Sequence, residues 1–437
     1  MALNLKKMDN MNSRYLLLLL LVIGLSSPLI AQTKITFEQA EKEALEKHPL
    51  SEQKEMFSRM QETEKEAISK DRLPQFGIQG KIGYLSDVIS PTDPNAPAAA
   101  VFPDIPHTQW QTYASVDYAI YNGNIKKKKL AKSSSEYGIK IQENNVKQFS
   151  VKESISQIYF AALSYQEQEI LIKDGVINEL ENQLKEVEAL EAGGAALPST
   201  TDALKVEYFK AQQKLLSVEA QKNGALKALC IWLERENEWN TIELVRPEMT
   251  VSLSAQYNRP EVEMYKLQTQ NMDVMSDMLK TQRLPVVSAY AIGGYGTPNP
   301  YNFFIIDGDF FYQVGLKFAW KPFDYGKNNR ERQITQIQKE VINTELETFN
   351  KTMNSQIVQI QATIDQLGKL ISQDNEIIKI QERNVVRSKG QLDNGAATSA
   401  KYVTALNALT DAKLNLSSHE LQLLQTQYHL AMTKGLL

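Results

Sequence analysis

The sequence predicts an α+β membrane protein with four amphipathic strands and several very long helices. Three observations support this prediction: the chain carries a duplicated unit, two pairs of segments alternate apolar and polar residues, and the helical stretches extend over tens of residues. A unit written twice in one chain is typical of proteins built from two equivalent halves. We therefore expect the same order of elements in each half.

The duplication is visible as landmarks that recur at the offset of 211 residues separating Pro49 from Pro260. The shared motifs are His-Pro or Arg-Pro at 48–49 and 259–260, Arg-Leu-Pro at 72–74 and 283–285, and Gly-Tyr at 83–84 and 294–295. One offset shared by separate motifs indicates two internal structural repeats, residues 32–247 and residues 248–437. Each repeat is expected to fold as helix, strand, strand, long helix, long helix.

The first 31 residues have the pattern of a secretory signal peptide. Lys6, Lys7 and Arg14 precede an unbroken apolar run at 16–23, and the expected cleavage follows Ala31. The mature chain is therefore expected to be exported. The formal net charge of −4 gives no reason to expect nucleic acid as a partner.

Two strands are expected in the first half, at about 75–88 and 108–121. Apolar and polar residues alternate through both segments, which is typical of a strand with one apolar and one polar face. The stretch 86–107 between them contains five prolines and no periodicity. It is expected to be a loop, because proline cannot donate to a ladder of strand hydrogen bonds.

Two further strands are expected in the second half, at about 286–296 and 309–321. The facing of the first is ambiguous, because apolar side chains fall on both of its sides. The second is the clearest strand in the chain, with bulky apolar residues at every even position from 310 to 320.

Long helices follow each pair of strands, at about 124–192, 201–233, 327–392 and 399–433. Glycines at 193–194 and 395 end the first helix of each pair. Within 327–392, a seven-residue repeat predicts a left-handed supercoil with another helix; its members are Ile357, Ile364, Ile371, Ile378 and Val385. The single cysteine, Cys230, is expected to be a buried thiol in an apolar helical run.

The four strands are too few to close a barrel, and an open sheet edge in lipid leaves backbone groups unpaired at a cost of several kcal/mol each. No mature segment approaches the length of a membrane helix, so we expect several chains to share one barrel, with three as the smallest number that leaves a channel. The side chains expected to line its lumen are Gln79, Lys81, Gln109, Asp117, Gln313 and Lys317. Those expected in a lipid-facing belt are Phe76, Tyr84, Trp110, Tyr118, Phe310, Tyr312, Phe318 and Trp320.

This arrangement resembles the TolC-like outer-membrane efflux proteins. The resemblance covers essentially the whole mature chain and lies in the order of elements, the Leu-Pro before each first strand, the turns at 121–123 and 323–326, and the glycine at each far helical turn. It implies a homotrimer with a 12-stranded β-barrel in the outer membrane, four strands per chain, continued by an antiparallel coiled-coil barrel of helices in the periplasm. It also implies docking onto a periplasmic adaptor and an inner-membrane pump of the RND or ABC type.

The resemblance also implies roles for the far ends of the helical hairpins. The residues expected to contact the adaptor there are Gly194, Ala195, Leu197, Gly395, Ala396 and Thr398. Family members often close the periplasmic mouth with aspartates near these ends. Asp202 matches the first of them, whereas Lys401 and Thr404 stand at the second-half positions. We therefore expect no ring of cation-binding aspartates, and Lys401 favours anions at this mouth.

Basic residues begin the long helices of both halves, at 126–129 and at 327, 330 and 332. Cations there oppose the helix dipole. Two interpretations remain open from the sequence: a solvated collar, or contact with lipid phosphates at the periplasmic leaflet.

The expected function is that of an exit duct for small molecules, without chemistry of its own. An exit duct for polypeptides in a one-step secretion system would use the same walls. A periplasmic adaptor or scaffold is a competing interpretation from another class, but it has no need of an aromatic strand face. An envelope enzyme would need clustered acid, base or nucleophile residues, which the sequence lacks, and we expect no catalytic residue, cofactor or metal site.

Overall fold

The computed structural model of the chain describes residues 33–88, 103, 105–194, 197–249, 252–253, 257–302 and 304–437. The predicted signal peptide and most of the predicted loop at 86–107 lie outside these residues. Among the described residues, no helix combines the length and the apolar character needed to cross a membrane.

The described residues of the first part of the chain form three strands and five α-helices. In order they are β1 (Thr33–Ile35), α1 (Phe37–Lys47), α2 (Leu50–Lys70), β2 (Gln75–Tyr84), β3 (Thr108–Tyr121), α3 (Ile125–Ile170), α4 (Asn178–Ala192) and α5 (Pro198–Trp232). A π-helical segment, Leu171–Ile177, joins α3 to α4. The second part contains β4 (Ile242–Leu244), α6 (Pro260–Thr281), β5 (Val286–Thr297), β6 (Asp309–Ala319), α7 (Lys327–Asp393) and α8 (Ser399–Thr433).

The local sequence explains where several of these helices begin. Thr36 caps α1 through a capping box with Gln39, in which the hydroxyl accepts the Gln39 N–H at 3.2 Å. Pro198 and Pro260 stand at the first positions of α5 and α6. Proline suits that position, because its missing N–H would be unpaired there in any case.

The chain divides into two compact units. One comprises Met1–His48, Ser150–Gln256 and Ile357–Leu437, and the other comprises Pro49–Phe149 and Tyr257–Gln356. The second unit contains a four-stranded antiparallel sheet in the order β2-β3-β5-β6. Ion pairs tie the start of α3 to both neighbouring helices in this unit: Lys128 lies 2.9 Å from Asp277 and Lys129 lies 2.6 Å from Asp71.

The first unit is a helical core with a small parallel sheet, β1 with β4. An aromatic cluster of Phe37, Tyr159, Phe160 and Tyr428 lies beside this sheet, with ring centroids 4.9–6.0 Å apart. A longer apolar core runs between the hairpin α4–α5 and helix α8. Its buried members are Ile172, Val176, Ile177, Leu180, Val187, Leu204, Ala211, Val218, Val403 and Leu406.

The members of the predicted seven-residue repeat on α7 are half-buried. A second series at steps of seven is more deeply buried and includes Leu367, Asp374 and Ser388, so polar residues also take part in the packing. The Asp374 carboxylate lies 2.6 Å from Nδ1 of His419 on α8. A charged group in this repeat does not interrupt the packing, because it has a partner on the neighbouring helix.

Three predicted boundaries and one predicted continuous helix need correction. β2 ends at Tyr84 rather than 88, and β6 ends at Ala319 rather than 321. Helix α5 begins at Pro198 rather than 201, because proline is compatible with the first helical position. The helix predicted at 124–192 contains the π-helical turn, which places one extra residue in a turn and which a periodicity of 3.6 does not detect.

Candidate functional site

The register of the sheet places its side chains on two chemically different faces. Residues that pair directly across antiparallel strands point to the same side, and successive residues alternate. Phe76 pairs with Val116, Val116 with Ala291, and Ala291 with Val314. The other cross-strand pairs can be assigned in the same way, and the alternation shifts at the bulge between Ala119 and Tyr121 in β3.

One face, which we call the apolar face, carries no charged residue in any of the four strands. The predicted belt residues that lie in strands all belong to it: Phe76, Tyr84, Trp110, Tyr118, Phe310, Tyr312 and Phe318. Phe76 and Tyr312 are 80% and 81% exposed. Trp320 follows the end of β6 and donates its indole N–H to the Arg283 carbonyl at 3.1 Å. Aromatic side chains of this size are seldom left exposed together on a soluble protein.

The opposite face, the polar face, holds all six residues predicted to line a lumen: Gln79, Lys81, Gln109, Asp117, Gln313 and Lys317. It also holds aromatic residues that sequence reasoning did not assign to it. Tyr113 donates its hydroxyl to Gln79 Oε1 at 2.6 Å. Phe311 is 7% exposed, in contrast to Phe310 and Tyr312 beside it.

Two glycines settle the ambiguous facing of β5. Gly294 pairs with Tyr113 and Gly296 pairs with Gln111 on the polar face. A Cβ atom at Gly294 would lie 2.5 Å from Cβ of Tyr113, and one at Gly296 would lie 2.8 Å from Cβ of Gln111. Glycine is therefore required where these strands approach each other closely. The remaining residues of β5 follow from this assignment by alternation.

The connections to helices lie at one end of the sheet, and the connections between strands lie at the other. Helices α2 and α6 enter β2 and β5 at the same end of the sheet from which β3 and β6 lead into α3 and α7. The two strand-to-strand connections, after Tyr84 and after Thr297, lie at the opposite end. Among the described residues, the outer strands β2 and β6 each pair on one side, which leaves two rows of backbone groups available to further strands.

The far turns of the two helical hairpins share a geometry. Gly194 and Gly395 adopt left-handed conformations with φ of +72° and +71°. Their N–H groups donate to the carbonyls of Glu191 and Leu392, both at 2.9 Å. Leu197 and Thr398 then adopt extended conformations immediately before α5 and α8. The predicted contact residue Ala195 lies outside the described residues, and Ala396 donates its N–H to the Gln391 carbonyl at 2.7 Å.

The residues predicted at the mouth are exposed, and Lys401 on α8 contacts the end of α7, whereas Thr404 contacts its own helix. Lys401 donates to Gln391 Oε1 at 3.0 Å, and the Thr404 hydroxyl donates to the Ala400 carbonyl at 2.8 Å. Asp202 is exposed at the start of α5. Among the described residues, no hydrogen bond or ion pair joins Asp202 to Lys401 or Thr404. One chain by itself therefore does not assemble these three residues into a site.

Two observations bear on metal binding and on nucleophilic chemistry. Within the part of the chain that the structure describes, no three His, Cys, Asp or Glu side chains are grouped as metal ligands. The thiol of Cys230 is buried, as predicted, and burial raises its pKa to about 11. A thiol in this environment is a poor nucleophile at neutral pH.

Comparison with known proteins gives matches at the level of structure. The sequence matches no model of a known protein family and no curated protein at a significant level. Its structure matches the outer membrane protein VceC from Vibrio cholerae at 13% identity, with a TM-score of 0.66 and coverage of 91% of this chain and 96% of that chain. It also matches the CmeC outer membrane channel of Campylobacter jejuni at 13% identity, with a TM-score of 0.65 and coverage of 91% of this chain and 85% of that chain. A third match is the MtrE outer membrane channel of Neisseria gonorrhoeae at 12% identity, with a TM-score of 0.62 and coverage of 91% of this chain and 88% of that chain.

These matches establish the fold. The α+β fold that the resemblance to the TolC-like proteins predicts is confirmed by structures that span nearly the whole length of both chains. At such low identity the comparison carries no information on cargo or partners, which depend on individual side chains.

Proposed function

We propose that this protein is the outer-membrane exit duct of a tripartite export system, and that it acts as a homotrimer. Three copies of the four-stranded sheet supply twelve strands, enough to enclose a water-filled channel, whereas four strands do not close. The observation that carries the proposal is the division of the sheet into an uncharged aromatic face and a polar face. Both faces have a suitable environment if the first meets lipid and the second meets water.

The edges of the sheet are consistent with closure by neighbours. Strand β2 and strand β6 run antiparallel to each other in the order β2-β3-β5-β6. An edge β6 of one chain therefore meets an edge β2 of the next chain as another antiparallel pair, and the pattern continues around a closed barrel. Closure removes the unpaired edges that lipid would penalise by several kcal/mol for each backbone group.

The helices supply the second part of the proposal. In this view the end of the sheet that is joined to α2, α3, α6 and α7 faces the periplasm, and the helical hairpins form a periplasmic tunnel. Three exposed apolar side chains on α5 are spaced by three and seven residues, and neighbouring chains would offer a surface to cover them. They are Val206, Phe209 and Leu216.

The hairpin ends are proposed to contact a periplasmic adaptor, which connects the duct to an inner-membrane pump. Gly194 and Gly395 hold the turns, while Leu197, 70% exposed, offers an apolar side chain at the end of one hairpin. Asp202, Lys401 and Thr404 are proposed to border the mouth once three chains assemble. The exposed Lys401 of each chain would favour anions over cations at the entrance.

Reconstitution tests the proposal directly. Purified protein added to a planar lipid bilayer should form long-lived channels of uniform conductance, and it should migrate as a heat-sensitive trimer on denaturing gels. A soluble protein without conductance would favour a periplasmic scaffold instead. A deletion strain exposed to panels of drugs and metal ions, together with a screen for secreted polypeptides, then identifies the class of cargo.

A further inference from the structure

The turn after β5 does not extend away from the sheet but folds back along its polar face. The hydroxyl of Tyr301 donates to Gln313 Oε1 at 2.8 Å, and its ring packs edge-on against Phe311 with centroids 5.6 Å apart. Phe311 and Gln313 both belong to the polar face. Phe311 and Gln313 lie two and four residues along β6 from its first residue, Asp309, so the Tyr301 side chain lies against the strand and not beyond its end.

The fold of this turn is fixed by one amide side chain. Asn299 is buried, and its Oδ1 accepts the backbone N–H groups of Tyr301 at 2.9 Å and Asn302 at 3.2 Å. Its Nδ2 donates to Asp309 Oδ2 at 3.2 Å. A buried amide with both ends hydrogen-bonded holds a turn in one conformation, because any other conformation leaves the amide unpaired.

Tyr301 adds to an aromatic row that is already present on the polar face. The row runs across the sheet through Gln79, Tyr113, Gly294 and Phe311, which are cross-strand partners in that order. None of these residues is charged, and the Tyr113 and Tyr301 hydroxyls are each engaged with a glutamine side chain. The row therefore presents rings and amides and no fixed charge.

We propose that the residues 298–302 form an inward-folded constriction near the outer end of the pore, in which Tyr301 and Phe311 limit the size of what passes. The inference rests on the proposed function, because it requires the polar face to enclose a channel. Three copies of the pair, one from each chain, would narrow the lumen from three sides. Because the row carries no charge, the constriction acts by size and leaves the preference for anions or cations to other residues.

Single-channel recording with variants tests this proposal. Tyr301→Ala should raise the conductance about 1.5-fold or more and should admit larger polyethylene glycols from the outer side, since the narrowest part of a pore dominates its resistance. The reversal potential in a salt gradient should stay unchanged. Tyr312→Ala is the matched control, because Tyr312 lies next to Phe311 on the same strand but on the apolar face; its conductance should equal that of the wild type.

Cysteine labelling tests the position of the side chain independently. In a Tyr301→Cys variant, a charged thiol reagent added from the outer side should lower the conductance in up to three discrete steps. The native Cys230 is buried and serves as an internal control in the unmodified protein, which should not respond. A Tyr312→Cys variant should be equally silent.

The outcomes separate the two proposals. If the wild-type protein forms no channels, the proposed function fails and the constriction fails with it. If the wild type conducts while Tyr301→Ala leaves conductance and polymer exclusion unchanged, the duct stands and the constriction is refuted. A Tyr301→Ala protein that is less stable but conducts normally shows that the turn serves the fold alone, which also refutes the constriction.

Discussion

A lysine placed on the apolar face should destabilise the protein far more than a lysine on the adjacent residue. Val314 is the sixth of the eleven residues of β6 and is 71% exposed on the apolar face. A strand of this length extends about 36 Å, and a tilt of about 40° reduces its height to about 28 Å, close to the thickness of the lipid core. Val314 therefore lies near the middle of the membrane in the proposed barrel.

The expected cost follows from this depth. A lysine at the bilayer midplane costs about 2–4 kcal/mol on the lipid face of a barrel, so three copies lower the free energy of unfolding of a trimer by about 6–12 kcal/mol. The neighbouring change Gln313→Lys adds the same charge on the polar face, where Lys317 already lies on the same strand. It should cost only the hydrogen bond to Tyr301, about 1 kcal/mol for each chain.

Equilibrium unfolding by urea from phosphatidylcholine vesicles, followed by tryptophan fluorescence, measures both variants. The heat stability of the trimer on denaturing gels provides a second, independent measure. Val314→Lys should lower both strongly, and Gln313→Lys should lower them slightly. Equal effects of the two changes, or a larger effect of Gln313→Lys, would refute the assignment of the two faces.

Three further predictions concern the helical parts of the chain. Tyr159→Phe should lower the free energy of unfolding by about 1 kcal/mol, because it removes a buried hydroxyl that lies 2.6 Å from the Val245 carbonyl and 2.9 Å from the Ile35 carbonyl. Thermal unfolding measures this loss. A Tyr428→Phe variant, whose hydroxyl lies no closer than 3.2 Å to a carbonyl, should lose less. Hydrogen bonds from Lys280 and Lys128 lower the pKa of Asp277 to about 2, so this carboxylate should stabilise the fold above about pH 4 and lose its effect as the pH falls towards 2. Wild type and Asp277→Asn should therefore differ modestly at pH 7, since the pair is partly exposed, and should converge as the pH falls to about 2 and below in unfolding experiments. A gap that widens in acid would contradict the reasoning. Gly395→Ala should lower the free energy of unfolding by about 1 kcal/mol, because Gly395 has a left-handed backbone conformation. Limited proteolysis should then cleave the hairpin turn faster than in the wild type. Cleavage at the wild-type rate would show that the turn tolerates a side chain.

The sequence predicted the strands well where the alternation is strict. The even positions of β6 from 310 to 318 are apolar, and the register places all of them on one face. β5 remained ambiguous because its apolar residues occur on both sides, and the deciding residues were Gly294 and Gly296, whose importance depends on how closely β3 approaches. Such proximity is a property of the packed sheet and has no signature in one strand.

Other features depend on contacts between distant residues and were not predictable. The pair Asp374 and His419 joins two helices over 45 positions of the chain. The inward fold of Tyr301 depends on the amide of Asn299 and on a glutamine on the next strand. A proline-containing stretch at 298–302 predicts a turn, but the direction in which a turn folds is decided by its hydrogen-bond partners.

The mass of the protein in a detergent micelle, measured by native mass spectrometry after extraction from membranes, tests the central claim most directly. If the four strands of each chain are one third of a barrel, the particle should contain three chains and should release no monomer until the detergent is exchanged for a denaturing one. A stable, water-soluble monomer whose aromatic strand residues are protected from solvent would contradict the account.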